Sequence, residues 1–309
     1  MQKWDLRKLK CARCARNRAV KTSPARFIYQ VPFQRCFFHT DSEYWEKVDQ
    51  VREMASDEVK LTDRFREQNR QVHRESDALV NLKLVAAMSD IRLYRQALIF
   101  FYTLFHAIEA ALYANRELDV VRPMYECVKR VSRVTRFEED LAFYSRRSST
   151  GKAESLSVDL PASVDEYVAH IEKLASSKES AYLVLAYAYT MHQAILGGGQ
   201  ILKKMLKKGL GLDANDRGVA IFCLGESESP SSIQQELRDI MNLHVCGQLS
   251  AEQQNLLCLE TKQVFIRNNR MVRDIQDVGL IVAGKLFKYI ADAIFLLVSV
   301  YLVFIVARQ

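Results

Sequence analysis

Glycine and proline are scarce, 11 and 5 in 309 residues. That excludes a collagen-like or linker-rich chain and weighs against a β-sandwich of many short turns. Cysteine occurs seven times, at positions 11, 14, 36, 127, 223, 246 and 258. An odd, scattered set does not read as a disulfide framework and fits a reducing compartment. Cys11 and Cys14 form a CxxC, but no second pair stands at zinc-ribbon spacing. The histidines, at 39, 73, 106, 170, 192 and 244, include no HExxH. Strand-like alternation is lacking as well. So is a basic body, although the net charge is +7. The first 40 residues hold ten Lys/Arg against the single acid Asp5, a net +9, and the remainder holds 34 basic and 36 acidic residues, a net −2. A near-neutral body carries no footprint for a phosphate backbone, so nucleic acid is excluded as a partner. A hydrophobic share of 49% and a charged share of 26% exclude a wholly disordered chain.

Both ends read as something other than a domain. Residues 1–42 are rich in Arg and poor in acid, with scattered Trp4, Leu6, Leu9, Phe27 and Ile28. That is the composition of a mitochondrial presequence, and it lacks the unbroken apolar core of a secretory signal. A basic arm is the alternative, and Met54 could begin a shorter protein. At the other end, Tyr289–Ala307 reads YIADAIFLLVSVYLVFIVA, with Asp292 its one charge and Lys285, Lys288 and Arg308 flanking it. At ~1.5 Å per residue it spans roughly 28 Å, close to a hydrocarbon core of ~30 Å. Residues 279–309 are therefore expected to be a single-pass C-terminal anchor in a lipid bilayer. The basic start points to mitochondria, and a tail anchor by itself points to the endoplasmic reticulum.

Residues 43–278 read as one all-α domain. The pattern predicts a charged helix over Met54–Val80 and a buried one over Leu93–Arg116. A helix opened by Pro123 runs to Arg136, followed by Glu138–Tyr144. Ser145–Ser163 reads as a loop, and Val164–Leu174 as a helix. Ala181–Lys208 is a long helix interrupted by Gly197, Gly198 and Gly199. Pro230 opens a helix to His244, and Ser250 with Gln253 makes a capping box for the last soluble helix.

The glycine run is the informative oddity, because each glycine costs a helix ~1 kcal/mol relative to Ala. Glycine lets a flat ligand lie against the backbone, or lets two helices cross closely. His73 is the second oddity. Arg66, Arg70 and Asp77 stand at i−7, i−3 and i+4 from it, on one helix face. An imidazole can bind a metal through one nitrogen while a carboxylate orients the other.

Tyr189, followed by Leu196-Gly197-Gly198-Gly199-Gln200-Ile201-Leu202-Lys203-Lys204, resembles the distal-helix signature of the heme oxygenase family. The segment around His73 resembles the family's proximal helix, and Glu139–Tyr144 an internal helix. The tail is similar to that of membrane-anchored eukaryotic members. The resemblance implies heme b, as substrate and cofactor, held between two helices. His73 would be the axial iron ligand, with Gly197, Gly198 and Gly199 under the porphyrin. Arg66, Tyr189 and Arg238 would meet the propionates, and guanidinium is a fixed, permanently charged partner for carboxylate. A further propionate-side position is Gln234 here instead of a basic residue.

One departure stands out. The family's distal glycine–aspartate pair falls on Ala194 and Ile195, as in fungal and other members that lack the acid. His192 could substitute for it, could be a second axial ligand, or could simply pack. The implied activity is cleavage of heme to biliverdin, carbon monoxide and ferrous iron with O2. Electrons would come from an NADPH-dependent reductase or a ferredoxin-type donor, with Ala194, Ile195, Gly198 and Gly199 at the catalytic face. The alternative is a heme-binding sensor or buffer of the same fold. A thiamin-related hydrolase is disfavoured, since no cysteine falls beside the glycine run.

Overall fold

The structure, a computed structural model, describes residues 59–87, 90–146, 160–213, 215–225 and 227–275. The expected presequence over 1–42, the start at Met54, the anchor at 289–307 and most of the Ser-rich loop lie outside the described residues. Eight labelled helices carry the fold among the described residues: α1 (Leu61–Ala87), α2 (Ile91–Ala114), α3 (Arg122–Arg130), α4 (Val134–Arg146), α5 (Ala162–Ala175), α6 (Val184–Gly209), α7 (Pro230–Asp239) and α8 (Ala251–Arg273). No strand occurs among the described residues.

Helix α2 is the centre, as its all-round apolar composition predicts. Asp90 caps its start by accepting from the Arg92 N–H at 2.8 Å. Leu98, Phe100, Leu104, Phe105, Ile108 and Leu112 are all fully buried. Each such burial is worth roughly 1.5–3 kcal/mol. Among the described residues, α2 is the one helix long and apolar enough to cross a membrane. Here it packs instead against α4 and α5 on its flanks and against α6. It ends at Asn115, whose amide donates to Ala111 O and Ala175 O, both at 3.0 Å, and so ties α2 to the end of α5.

Three boundaries differ from the sequence expectation, each for a long-range reason. Helix α1 begins at Leu61, later than Met54, and continues past Val80 to Ala87. Its first turn is capped from afar, because Asn242 Oδ1 accepts from the Thr62 N–H at 3.0 Å. The helix expected from Pro123 to Arg136 breaks at Val131–Arg133. There the Glu109 carboxylate of α2 takes the Ser132 hydroxyl at 2.6 Å and the N–H groups of Arg133 and Val134 at 2.7 and 3.3 Å. The buried Arg133 guanidinium donates to the carbonyls of Val131, Ile221 and Cys223. A half-buried carboxylate thus opens α4, and desolvation raises the Glu109 carboxyl above its ordinary range despite those donors.

The third difference is at the glycine run. Helix α6 is continuous from Val184 to Gly209, with no interruption at Gly197–Gly199. Tertiary packing outweighs the propensity cost. Leu196, Gly199 and Leu206 are buried on either side, so the helix is held where its own sequence is weakest. The capping box at Ser250 and Gln253 forms as expected. So does the start of α7 at Pro230, capped by Ser229.

Asp140 of α4 is fully buried. Its two oxygens accept from the N–H groups of Ala220 and Ile221 at 2.8 and 3.0 Å. Burial still lifts its carboxyl to about 6. These bonds hold the short 3-10 turn Ala220–Phe222, which packs on both α4 and α6. Replacing Asp140 with Ala leaves two buried donors unpaired. The expected loss of stability is about 2–4 kcal/mol, read as a lower denaturation midpoint at unchanged m.

Candidate functional site

The site is framed by three helices. Helix α8 packs along α1 and also against α6. On the α1 side, the His73 ring lies against Phe265 of α8, centroids 5.2 Å apart and planes at 54°. On the α6 side, Asn268 of α8 donates to Met191 Sδ at 3.1 Å. Helices α1 and α6 meet each other at one end, where Phe65 and Tyr189 have ring centroids 5.9 Å apart. His73 lies eight residues beyond Phe65 on α1, about 12 Å along the axis. Gly198 lies nine residues beyond Tyr189 on α6, about 13.5 Å along.

The meeting end is cationic. Tyr189 is largely buried, and burial pushes its hydroxyl up to about 12; the guanidinium groups of Arg238 and Arg66 pull the other way, Asp63 adds to the rise, and a hydrogen bond from Thr62 opposes it. Arg66, Tyr189 and Arg238, set far apart in the chain, are thus neighbours. Arg66 also pairs with Asp63 at 3.3 Å, and Arg238 donates to Gln235 Oε1 from Nε at 3.2 Å and Nη2 at 3.0 Å. These are exposed, screened contacts, cheap to exchange for an incoming carboxylate. Arg70 does not join the cluster but pairs with Glu67 along its own helix. The side chain of Asp77 lies outside the described residues.

The three glycines do different work. A Cβ on Gly198 would meet no atom within 4 Å, and Ala194, one turn earlier, is exposed as well. Together they form an open strip on α6 bare of side chains beyond a methyl. Gly197 faces α7 instead, where a Cβ would stand 3.2 Å from Gln234 Nε2. Gly199, expected under a porphyrin, is buried, and a Cβ there would stand 2.8 Å from Phe222 Cδ1. Its missing side chain serves helix packing. The close-crossing explanation therefore holds for Gly199, and the open-face explanation for Gly198. Ile195 is half-buried and packed on the core.

His192 simply packs. It is 1% exposed, its ring edge-on to Phe105 of α2 at 5.3 Å. Nδ1 lies 2.8 Å from Ala188 O, one turn back on its own helix. It faces α2, away from the exposed strip, which overturns a second axial ligand or a solvent-linked proton donor there. Burial depresses its pKa to about 4, with the bond to Ala188 O acting against that and Arg133 reinforcing it.

Among the described residues, no group of three or more His, Cys, Asp and Glu could hold a metal ion. An ion at His73 would have to bring its other ligands with it, as a porphyrin does. A family model described as heme oxygenase matches residues 59–274.

The chain belongs to the heme oxygenase family.

The curated relatives are distant in sequence. Heme oxygenase 1 of Pongo abelii is 26% identical over 176 residues, 57% of this chain and 57% of that protein. The match thus spans little more than half the length of that relative. Heme oxygenase 1 of Gallus gallus is 25% identical over 233 residues, 73% of this chain and 75% of its own length. Among solved structures, heme oxygenase 2 of Chlamydomonas reinhardtii, crystallised without heme, superposes with a TM-score of 0.63 at 28% identity. That match covers 70% of this chain and 98% of the other. Heme oxygenase-1 of Synechocystis in complex with heme gives a TM-score of 0.61 at 21% identity and shares the fold.

Within this heme oxygenase fold, sequence reasoning missed Phe265 against His73, Asn268 against Met191 and Phe222 against Gly199. None carries a local signal, since each is an ordinary residue made important by a partner far along the chain. Two outcomes follow from the geometry. Gly199→Ala should destabilise the protein by roughly 1–3 kcal/mol through overpacking on Phe222, while Gly198→Ala should stabilise the ligand-free protein by up to about 1 kcal/mol; thermal melts separate the two. His192 titrates near 6.5 when unfolded and near 4 when folded, so the unfolded chain binds more protons between those values. The His192 contribution to stability should therefore fall by roughly 3 kcal/mol as pH drops from 6.5 to 4, while the raised Asp140 carboxyl contributes in the opposite direction over that range. His192→Phe should remove the His192 contribution, read as the difference between variant and wild type in urea titrations at pH 7 and 4.5; an unchanged difference would refute the assignment.

Proposed function

We propose that this chain is a heme oxygenase, cleaving heme to biliverdin, carbon monoxide and ferrous iron with O2 and electrons from an NADPH-dependent reductase or ferredoxin-type donor. The observation that carries this reading is the open strip at Ala194 and Gly198. It lies on α6, which also contributes Tyr189 to the cluster with Arg66 of α1 and Arg238 of α7, and α1 is the helix that bears His73. A planar dianionic ligand matches that arrangement, with its apolar face toward a side-chain-free strip and its carboxylates toward two guanidinium groups.

Bound heme would supply the iron and its oxygen chemistry. The chain's own part is positional. His73 would provide the axial imidazole, with Phe265 fixing its ring. Arg66 and Arg238 would fix the propionate end, and Tyr189, neutral at physiological pH, would donate its hydroxyl to a carboxylate. Fixing the carboxylate end would set the orientation of the ligand over the Ala194–Gly198 strip. Ile195 offers no proton, so protons would arrive from solvent along that exposed strip. The hydrocarbon at 195, where well-studied family members carry an acid, favours a second reading: a heme-holding protein of this fold with little ring opening.

The test uses the full-length protein in detergent. One equivalent of hemin should give a Soret band, and ascorbate or a reductase under air should replace it with biliverdin absorbance. His73→Ala should alter or abolish the ligation, and Gly198→Ala should weaken hemin binding while raising the melting temperature of the ligand-free protein. A Soret band that persists under turnover conditions assigns the second reading. Hemin binding unaffected by either substitution sinks both.

A further inference from the structure

The outer face of α8 is apolar. Among the described residues seven large hydrophobic side chains are exposed, and three of them, Leu256, Leu259 and Ile266 at 45%, 54% and 42%, belong to this helix. They are part of a regular seam. Glu252, Leu256, Leu259, Gln263, Ile266 and Arg270 follow one another in alternating steps of four and three. At 3.6 residues per turn these positions fall within an arc of about 80°. Leu257, Thr261, Val264 and Met271, on the opposite side of α8, are buried in the domain. Alternating steps of four and three are the spacing by which one helix pairs with another along a coiled-coil seam.

The six residues are complementary to their own reverse. When two copies of α8 run antiparallel and cross at the level of Thr261, Leu256 faces Ile266 of the second copy and Leu259 faces its Gln263. Glu252 faces Arg270, at both ends of the seam. A parallel pair would instead set Glu252 against Glu252 and Arg270 against Arg270, so the charges select the antiparallel arrangement. Arg270 donates to Glu166 from Nη1 at 2.6 Å, and a guanidinium keeps further N–H groups for a second carboxylate. Beside the seam, between α8 and the start of α5, lies a recess of about 190 Å³ bounded by Glu166, Gln263, Ile266 and Arg270. It adjoins the place that Leu256 of the second copy would take, and it supplies the hole for that knob. A helix laid on lipid carries basic residues along its polar flanks, whereas this seam closes with an acid at one end and a base at the other.

We propose that this face of α8 is an interface between two copies of the chain, paired antiparallel about a two-fold axis at the level of Thr261. The contact is isologous, with one patch serving both partners. From Glu252 to Arg270 the seam is about 27 Å long, and at a helix width of about 10 Å it covers on the order of 300 Å² per copy. That is less than the roughly 800 Å² per partner of a standard interface. The dimer is therefore a weak one, with a Kd on the order of 10–100 μM.

Sedimentation velocity of the full-length protein in density-matched detergent, over a concentration series that brackets that Kd, tests this. The expected result is a shift from monomer to dimer. Glu252→Arg alone and Arg270→Glu alone each place like charges against each other at both ends of the antiparallel seam, and each should weaken the dimer by about tenfold. An equimolar mixture of the two variants should restore it, because every facing pair is then opposite in sign. The double variant Leu259→Gln/Ile266→Gln should abolish the dimer without lowering the melting temperature, since both side chains are exposed in the monomer. Ile201→Gln/Met205→Gln, at exposed hydrophobic positions of α6, should leave it unchanged. A monomer at every concentration overturns the proposal. So does a dimer indifferent to both single charge variants, which would be parallel or seated elsewhere. Loss of the dimer in the α6 variant also overturns it, and so does loss of vesicle binding in place of dimer loss in the Leu259/Ile266 variant, which would assign the face to lipid.

Discussion

Two helices that touch each other at little more than Phe65 and Tyr189 are kept in register by a third. Helix α8 reaches α1 through Phe265 against His73 and reaches α6 through Asn268 against Met191. Everything proposed for the site depends on that shared wall. If α8 shifted along its axis by one turn, the imidazole and the bare strip at Gly198 would lose their common frame. The buried face of α8 is partly polar, with Asn69 of α1 donating to Thr261 at 2.7 Å inside the interface. Such a bond adds directionality that apolar contact alone lacks.

A second chain of contacts sets the position of α6. Buried Asp140 holds the turn Ala220–Phe222, and Phe222 lies where only a glycine at 199 leaves room. On the other side Gln193 donates to the Gln234 carbonyl of α7 at 2.8 Å, and the Gln234 side chain approaches Gly197. The three consecutive glycines thus divide into two with a side chain close by, Gly197 and Gly199, and one, Gly198, with none. That division explains how a helix tolerates a run its propensity disfavours, since packing on both flanks supplies the stability the run itself lacks.

The distal face is apolar where an acid is expected. Ile195 packs on the core and His192 is sealed against Phe105, so the nearest titratable candidate is removed from the open strip. Family membership and fold are therefore clear, while the proton supply of the proposed reaction rests on solvent access past Ala194 and Gly198.

The sequence by itself determined the helical class, the buried character of α2, the capping box at Ser250 and the helix start at Pro230. These are short-range properties: periodicity, propensity and capping act over a turn or two and are written in neighbouring residues. Arg66, Tyr189, Arg238 and His73 were legible only as a set, through the family resemblance. Only the tertiary structure decided that α6 runs unbroken through its glycines, that Glu109 opens α4, that Asn242 caps α1, and that Gly199 and Gly198 serve opposite purposes. Each of these depends on a partner brought in from tens of residues away or more. A side chain carries no local record of which distant atom will stand 3 Å from it.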